Sequence, residues 1–181
     1  MVAAIGKPFS EKRDTYIRIM RSECHAKFDI ALGTAFVTKP TKPLDFYLDT
    51  TAPGLDVSAF GYTDAGKKGT TLNLDVRYLK GHLTRTAEES QGLPARRIVE
   101  TSFGSPSGFS GAPLLVDFKV AGMLYGNIET RLQSYSILEV HDTGREFRET
   151  TSRIYEYGLS HNRDDLLTFI AACDLTPYVL P

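Results

Sequence analysis

Polar and apolar residues alternate along much of the chain in short stretches. Leu72, Leu74, Val76 and Tyr78 are separated by polar neighbours, the period-two pattern of a strand with one covered face. Further β-compatible runs are Tyr16 to Met20, Phe28 to Val37, Leu44 to Leu48, Val57 to Tyr62 and Arg97 to Phe103. Pro113 to Phe118 and Val120 to Tyr125 read as a hairpin, and Tyr135 to Val140 as a further strand. Gly81, just before His82-Leu83-Thr84, predicts a bend or bulge. A helix signal comes last. Asn162 can cap it, Asp164 and Asp165 favour its positive end, and Leu166, Ile170 and Cys173 share a face. Many short strands and one terminal helix predict an all-β barrel or sandwich, not an alternating α/β sheet.

Composition narrows the reading further. The 181 residues suit one domain with a sizeable core, and 41% hydrophobic with 24% charged residues is ordinary globular usage. Lys plus Arg (21) nearly balances Asp plus Glu (22), so charge gives no reason to expect nucleic acid or an anionic membrane as partner. No apolar run approaches the length of a bilayer span, and Met1 to Ser10 lacks the pattern of a signal peptide. The two cysteines, Cys24 and Cys173, lie far apart and read as free thiols in a cytoplasmic protein. No Cys/His spacing suggests a metal, and no cofactor is implied.

The segment richest in chemistry runs from Gly104 to Leu115, Gly-Ser-Pro-Ser-Gly-Phe-Ser-Gly-Ala-Pro-Leu-Leu. A serine hydroxyl becomes a nucleophile only when a base takes its proton and donors hold the oxyanion that follows. Gly108 permits a sharp turn that can aim its own N–H and that of Ser110 at one point. A Gly/Ser turn between two strands is the plain alternative. A relaxed nucleophile elbow of α/β-hydrolases also fits Gly108 to Ala112, but Pro113 and the β-rich residues after it leave no room for the helix that motif needs.

This segment resembles the Gly-Asp-Ser-Gly-Gly-Pro motif of trypsin-like serine peptidases, in a looser Gly-x-Ser-Gly-Ala-Pro form. His25 to Leu32 resembles the family segment that carries the triad aspartate, placing Asp29 there. Pro43-Leu44, Pro53-Gly54, Gly61-Tyr62 and Tyr78 to Leu83 resemble later landmarks in family order. The resemblance covers Ile17 to Gly126. It implies a chymotrypsin-like double β-barrel, with residues 1–50 a remnant of the first barrel, 51–160 the second barrel and 161–175 a C-terminal helix. It also implies peptide-bond hydrolysis through an acyl-enzyme on a peptide or protein substrate. Ser110 would be the nucleophile, Gly108 and Ser110 the oxyanion hole, and Asp29 the carboxylate that orients the base. Gly104, Ser105, Tyr125 and Gly126 would line the substrate site.

Two departures from the family stand out. The family places its histidine well upstream of the aspartate, after a Gly-Thr-x-Phe strand, and only 28 residues precede Asp29. Gly33-Thr34-Ala35-Phe36-Val37 has that strand's look, but no Thr-Ala-x-His follows it, so it reads as the continuation of the aspartate strand. Of the four histidines, His25 reads as a turn or surface residue, His82 as an exposed strand position and His161 as the helix entrance; His141 follows the nucleophile. The expectation is a first barrel and a triad incomplete within this sequence. A non-catalytic peptide- or protein-binding module on the same fold is the alternative. The second departure concerns specificity. Gly104 occupies the family's pocket-base position, so no carboxylate is expected there to meet an Arg or Lys side chain. Phe109 replaces the aspartate often found before the nucleophile.

Overall fold

The computed structural model describes residues 2–5, 15–35, 43–68, 71–89, 96–140 and 146–173. Among the described residues, nine strands precede one helix. β1 (Val2–Ile5), β2 (Thr15–Cys24) and β3 (Ala31–Ala35) form an antiparallel three-stranded sheet in that order. β4 (Asp56–Lys68), β5 (Thr71–Glu89), β6 (Arg96–Thr101), β7 (Pro113–Val116), β8 (Lys119–Val140) and β9 (Glu146–Asn162) close a barrel in the order β4-β5-β6-β9-β8-β7. The helix α1 (Arg163–Ala172) follows directly. Among the described residues the chain is all-β with a C-terminal helix: one closed barrel beside a three-stranded sheet.

Burial follows the alternation of the strands. Val57, Leu83, Val99, Leu114, Val116 and Ala121 form one core cluster inside the barrel. A second cluster joins Ala59, Phe109, Ala112 and Leu124. The β7–β8 hairpin turns on two residues, Asp117 and Phe118, whose φ values of 47° and 61° are what a two-residue turn between twisted strands requires. Outside the barrel, Ile30 of the β2–β3 connection packs on Leu166 and Phe169 of α1. That cluster fixes the open sheet to the barrel.

Several sequence expectations change in detail. Leu72 to Tyr78 and His82 to Thr84 belong to one strand, β5, and Gly81 sits in regular register opposite Val57. Glycine is needed there for close approach, since a Cβ would lie 2.9 Å from Phe103 Cδ1. Leu44 to Leu48 is not a strand: Leu44 and Leu48 are exposed, and Phe46 alone makes a bridge, to Val120. On α1 the buried residues are Leu166 and Phe169, whereas Ile170 is exposed, so the covered face is rotated from the expected one. The last strand, β9, had no counterpart in the pattern reading. Most of it pairs with β8 alone in a ribbon beyond the barrel, where Ile137, Ile154 and Tyr155 are exposed. A ribbon with both faces open to water has no one-sided apolar alternation to betray it. Phe36, Val37 and His141 lie outside the described residues.

Candidate active site

Ser110 sits on the connection from β6 to β7, and its neighbour Phe109 determines how it is held. Phe109 is fully buried among Ala59, Ala112 and Leu124, and its ring lies under Gly61, where a Cβ would be 3.5 Å from it. An aspartate in that apolar setting would be a desolvated charge, so phenylalanine is the residue this packing accepts. The backbone closes tightly around the anchor. Phe109 N–H donates to Pro106 O (2.9 Å), Ala112 N–H to Phe109 O (2.8 Å) and Gly111 N–H to Leu124 O (2.8 Å). Gly108 and Gly111 take φ of 94° and 90°, a region that favours glycine. The outcome is an exposed Ser110 on a pinned turn, its hydroxyl donating to Tyr125 O at 3.3 Å. Among the described residues, neither Gly108 N–H nor Ser110 N–H has a backbone acceptor.

Tyr125 and Gly126 lie on β8, where the register shifts against β9 between Leu124 and Gly126. Tyr125 stacks on His161 of β9, ring centroids 4.4 Å apart, and His161 is completely buried. Phe28 lies 6.3 Å from the His161 ring and is stacked on His25 at 4.4 Å. His25 also meets Phe169 edge-on at 5.0 Å. A continuous aromatic line therefore runs from the turn that carries Asp29 to the strand that touches Ser110. Beside it, a cavity of about 180 Å³ is lined by Ile30, Ala31, Phe46, Gly111, Met123 and Phe169 among others.

Asp29 itself is exposed in the β2–β3 connection, held by His25 N–H to Ile30 O and Ile30 N–H to Phe28 O, both 2.8 Å. No described side chain hydrogen-bonds to its carboxylate. Within the same turn, His25 Nδ1 accepts from the N–H groups of Lys27 (3.1 Å) and Phe28 (3.0 Å), which leaves the ring proton on Nε2. His82 is exposed on β5. Ser110 and an imidazole are not hydrogen-bonded to one another among the described residues.

The remaining residues proposed to line the site, Gly104 and Ser105, meet β8 and β9. Ser105 is buried and doubly tied to the Asn127 carboxamide: its N–H donates to Oδ1 and its carbonyl accepts from Nδ2 at 2.8 Å. Asn127 Nδ2 also donates to Glu156 Oε1. Glu156 lies directly over Gly104. A Cβ on Gly104 would be 2.8 Å from Glu156 Cδ and 3.1 Å from Oε2. The expectation that no carboxylate stands at Gly104 is thus corrected: β9 brings one there from 52 positions later in the chain. Asn127, Glu156 and His161, which the structure brings to these residues, were not among the sequence candidates, two of them because β9 itself was not legible.

No family model and no curated protein matches the chain. Among solved structures it is similar to Rv3671c from M. tuberculosis H37Rv, described as a serine-to-alanine mutant in an inactive form. The TM-score is 0.59 at 15% identity, covering 93% of this chain and 69% of that one. The likeness shows the fold, an all-β chymotrypsin-like arrangement. No helix among the described residues is long and apolar enough to cross a membrane.

Proposed function

We propose that the chain carries the nucleophile side of a serine-peptidase site, with Ser110 attacking a peptide carbonyl when an imidazole base is supplied. In that step the Ser110 proton passes to the imidazole, and the N–H groups of Gly108 and Ser110 hold the oxyanion. The C–N bond then breaks, the imidazolium protonates the leaving amine, and water releases the acyl group from Ser110 by the same route. Asp29 would be the carboxylate that orients the base. Gly104, Ser105, Tyr125 and Gly126 would form the wall against which a substrate lies.

One observation carries this reading: an exposed Ser110 on a turn pinned by buried Phe109, with two neighbouring N–H groups free of backbone partners among the described residues. The solved structure to which the fold is similar is itself described by a serine-to-alanine change and an inactive form, which supports a serine as the residue of interest. The test is covalent labelling by a fluorophosphonate, followed by intact mass, with and without added imidazole. Slow labelling that imidazole accelerates, and that Ser110→Ala abolishes, is expected. A second reading, a peptide-binding module without chemistry, is favoured by the Ser110 hydroxyl donating to Tyr125 O. A folded chain that stays unlabelled even with imidazole overturns the nucleophile assignment, and saturable binding of peptides by that chain would support the second reading.

A further inference from the structure

β5 has an open edge along half its length. Thr71 to Gly81 pair with β4 on one side, and β6 joins the other side only from Leu83 onward. Among the described residues no strand covers that second side, so its N–H and C=O groups are a template for another strand. The edge is also regular, because the one register shift of this ladder falls in β4, between Asp64 and Gly66. The free edge of β8, by contrast, is broken by shifts at Leu124/Gly126 and Arg131/Gln133, and such bulges bend a strand and interrupt pairing. Four consecutive exposed residues, Asp75 to Tyr78, lie within the β5 edge. Val76 and Tyr78 share one face and are 46% and 59% exposed. Tyr62 and Phe60 stand opposite them on β4, both half-buried, so four large side chains make one outward patch. On the other face, neither Asp75 nor Arg77 forms an ion pair among the described residues. Arg77 Nε donates to Thr63 Oγ1 at 3.1 Å, which leaves the other guanidinium N–H groups for a further acceptor.

The order of these residues selects the occupant. Antiparallel pairing with β5 of a second copy, about a two-fold axis at Val76, sets Asp75 opposite Arg77 and Arg77 opposite Asp75. The same register sets Tyr78 opposite Leu74 and Val76 opposite itself. The neighbouring two-fold registers would set Asp75 against Asp75 or Arg77 against Arg77, and like charges directly opposite are destabilising. We propose that β5 pairs with β5 of a second copy about Val76, an isologous contact that runs one sheet through two barrels. No residue of the Ser110 turn takes part, so the proposal stands apart from the reading of Ser110 as a nucleophile.

The test is sedimentation equilibrium of the full chain, with circular dichroism confirming that each variant is folded. The parent should show a reversible monomer–dimer equilibrium between about 1 and about 200 µM. Asp75→Arg replaces two opposite-charge pairs by two like-charge pairs and should weaken the dimer by about tenfold or more. The double change Asp75→Arg with Arg77→Asp exchanges the charges within each strand and should restore the parent's dimer. Register is read independently by oxidation in a Cys24→Ser background. Val76→Cys, facing itself across the axis, should form a disulfide-linked dimer. Tyr78→Cys, four strand residues or about 13 Å from its counterpart, should not. A monomer throughout the range, an open-ended series of oligomers, or a dimer indifferent to Asp75→Arg overturns the proposal. So does a double change that fails to restore the dimer, or cross-linking at Tyr78→Cys in place of Val76→Cys.

Discussion

Tyr125 stacks its ring on the buried His161, centroids 4.4 Å apart and planes 30° apart. The carbonyl of the same Tyr125 accepts the Ser110 hydroxyl. One residue thus ties the exposed serine to a ring packed between the barrel and the β2–β3 turn. His161→Ala should lower stability by about 3 kcal/mol, the range for emptying an aromatic site in a core. His161→Phe, which keeps a ring for Tyr125 and Phe28, should recover much of that. Urea unfolding checks both, and the alanine variant should label more slowly at Ser110 while it remains folded.

Phe109 is the anchor of the Ser110 turn, so its truncation should be felt in stability and reactivity together. Phe109→Ala is expected to cost about 3–5 kcal/mol through the cavity it leaves. Phe109→Asp should be worse, because no cation among Ala59, Ala112 and Leu124 would meet the buried charge. Denaturant midpoints give the first effect. Comparison of labelling rates at a denaturant concentration where both chains are folded gives the second.

Asn162 accepts a hydrogen bond from Asp164 N–H at 2.7 Å and caps α1. Asn162→Ala should destabilise by about 1 kcal/mol, whereas Asn162→Asp should retain the cap. Because Leu166 and Phe169 hold Ile30, hydrogen exchange should quicken in both α1 and the β2–β3 connection in the alanine variant.

Cys173 ends the same helix, and its thiol is held above its ordinary pKa by loss of surrounding water first and by the hydrogen bond and charge of Glu23 second. Iodoacetamide should therefore modify Cys173 more slowly than the exposed Cys24 between pH 7 and 9. Glu23→Gln should speed modification of Cys173 and leave Cys24 unaffected. The sign for folding follows from the raised value. The contribution is present at pH below the ordinary thiol pKa and declines as pH rises through the raised one. A stability profile across alkaline pH should flatten in Cys173→Ser.

Local chemistry was legible in the order of residues. Asn162 before two aspartates announced the cap, the Gly/Ser-rich run announced the turn at Ser110, and alternation announced β4 to β8 well enough to predict an all-β barrel or sandwich. These features depend on neighbours a few positions apart, where backbone preference and hydrogen bonding act without reference to the rest of the chain. The role of Phe109 was half legible: its departure from the family pattern was plain, but its burial under Gly61 was not.

What the tertiary structure alone decided is which distant residues meet. Strand register is a long-range property, and a shift of one residue turns every side chain to the other face. The pairing of β8 with β9 sets Met123 opposite His161 and Glu129 opposite Glu156. That register stacks His161 on Tyr125 and brings Glu156 over Gly104. From the sequence, Gly104 implied a neutral pocket and His161 a helix entrance. Once β9 is paired, the first receives a carboxylate and the second becomes the buried ring behind Ser110.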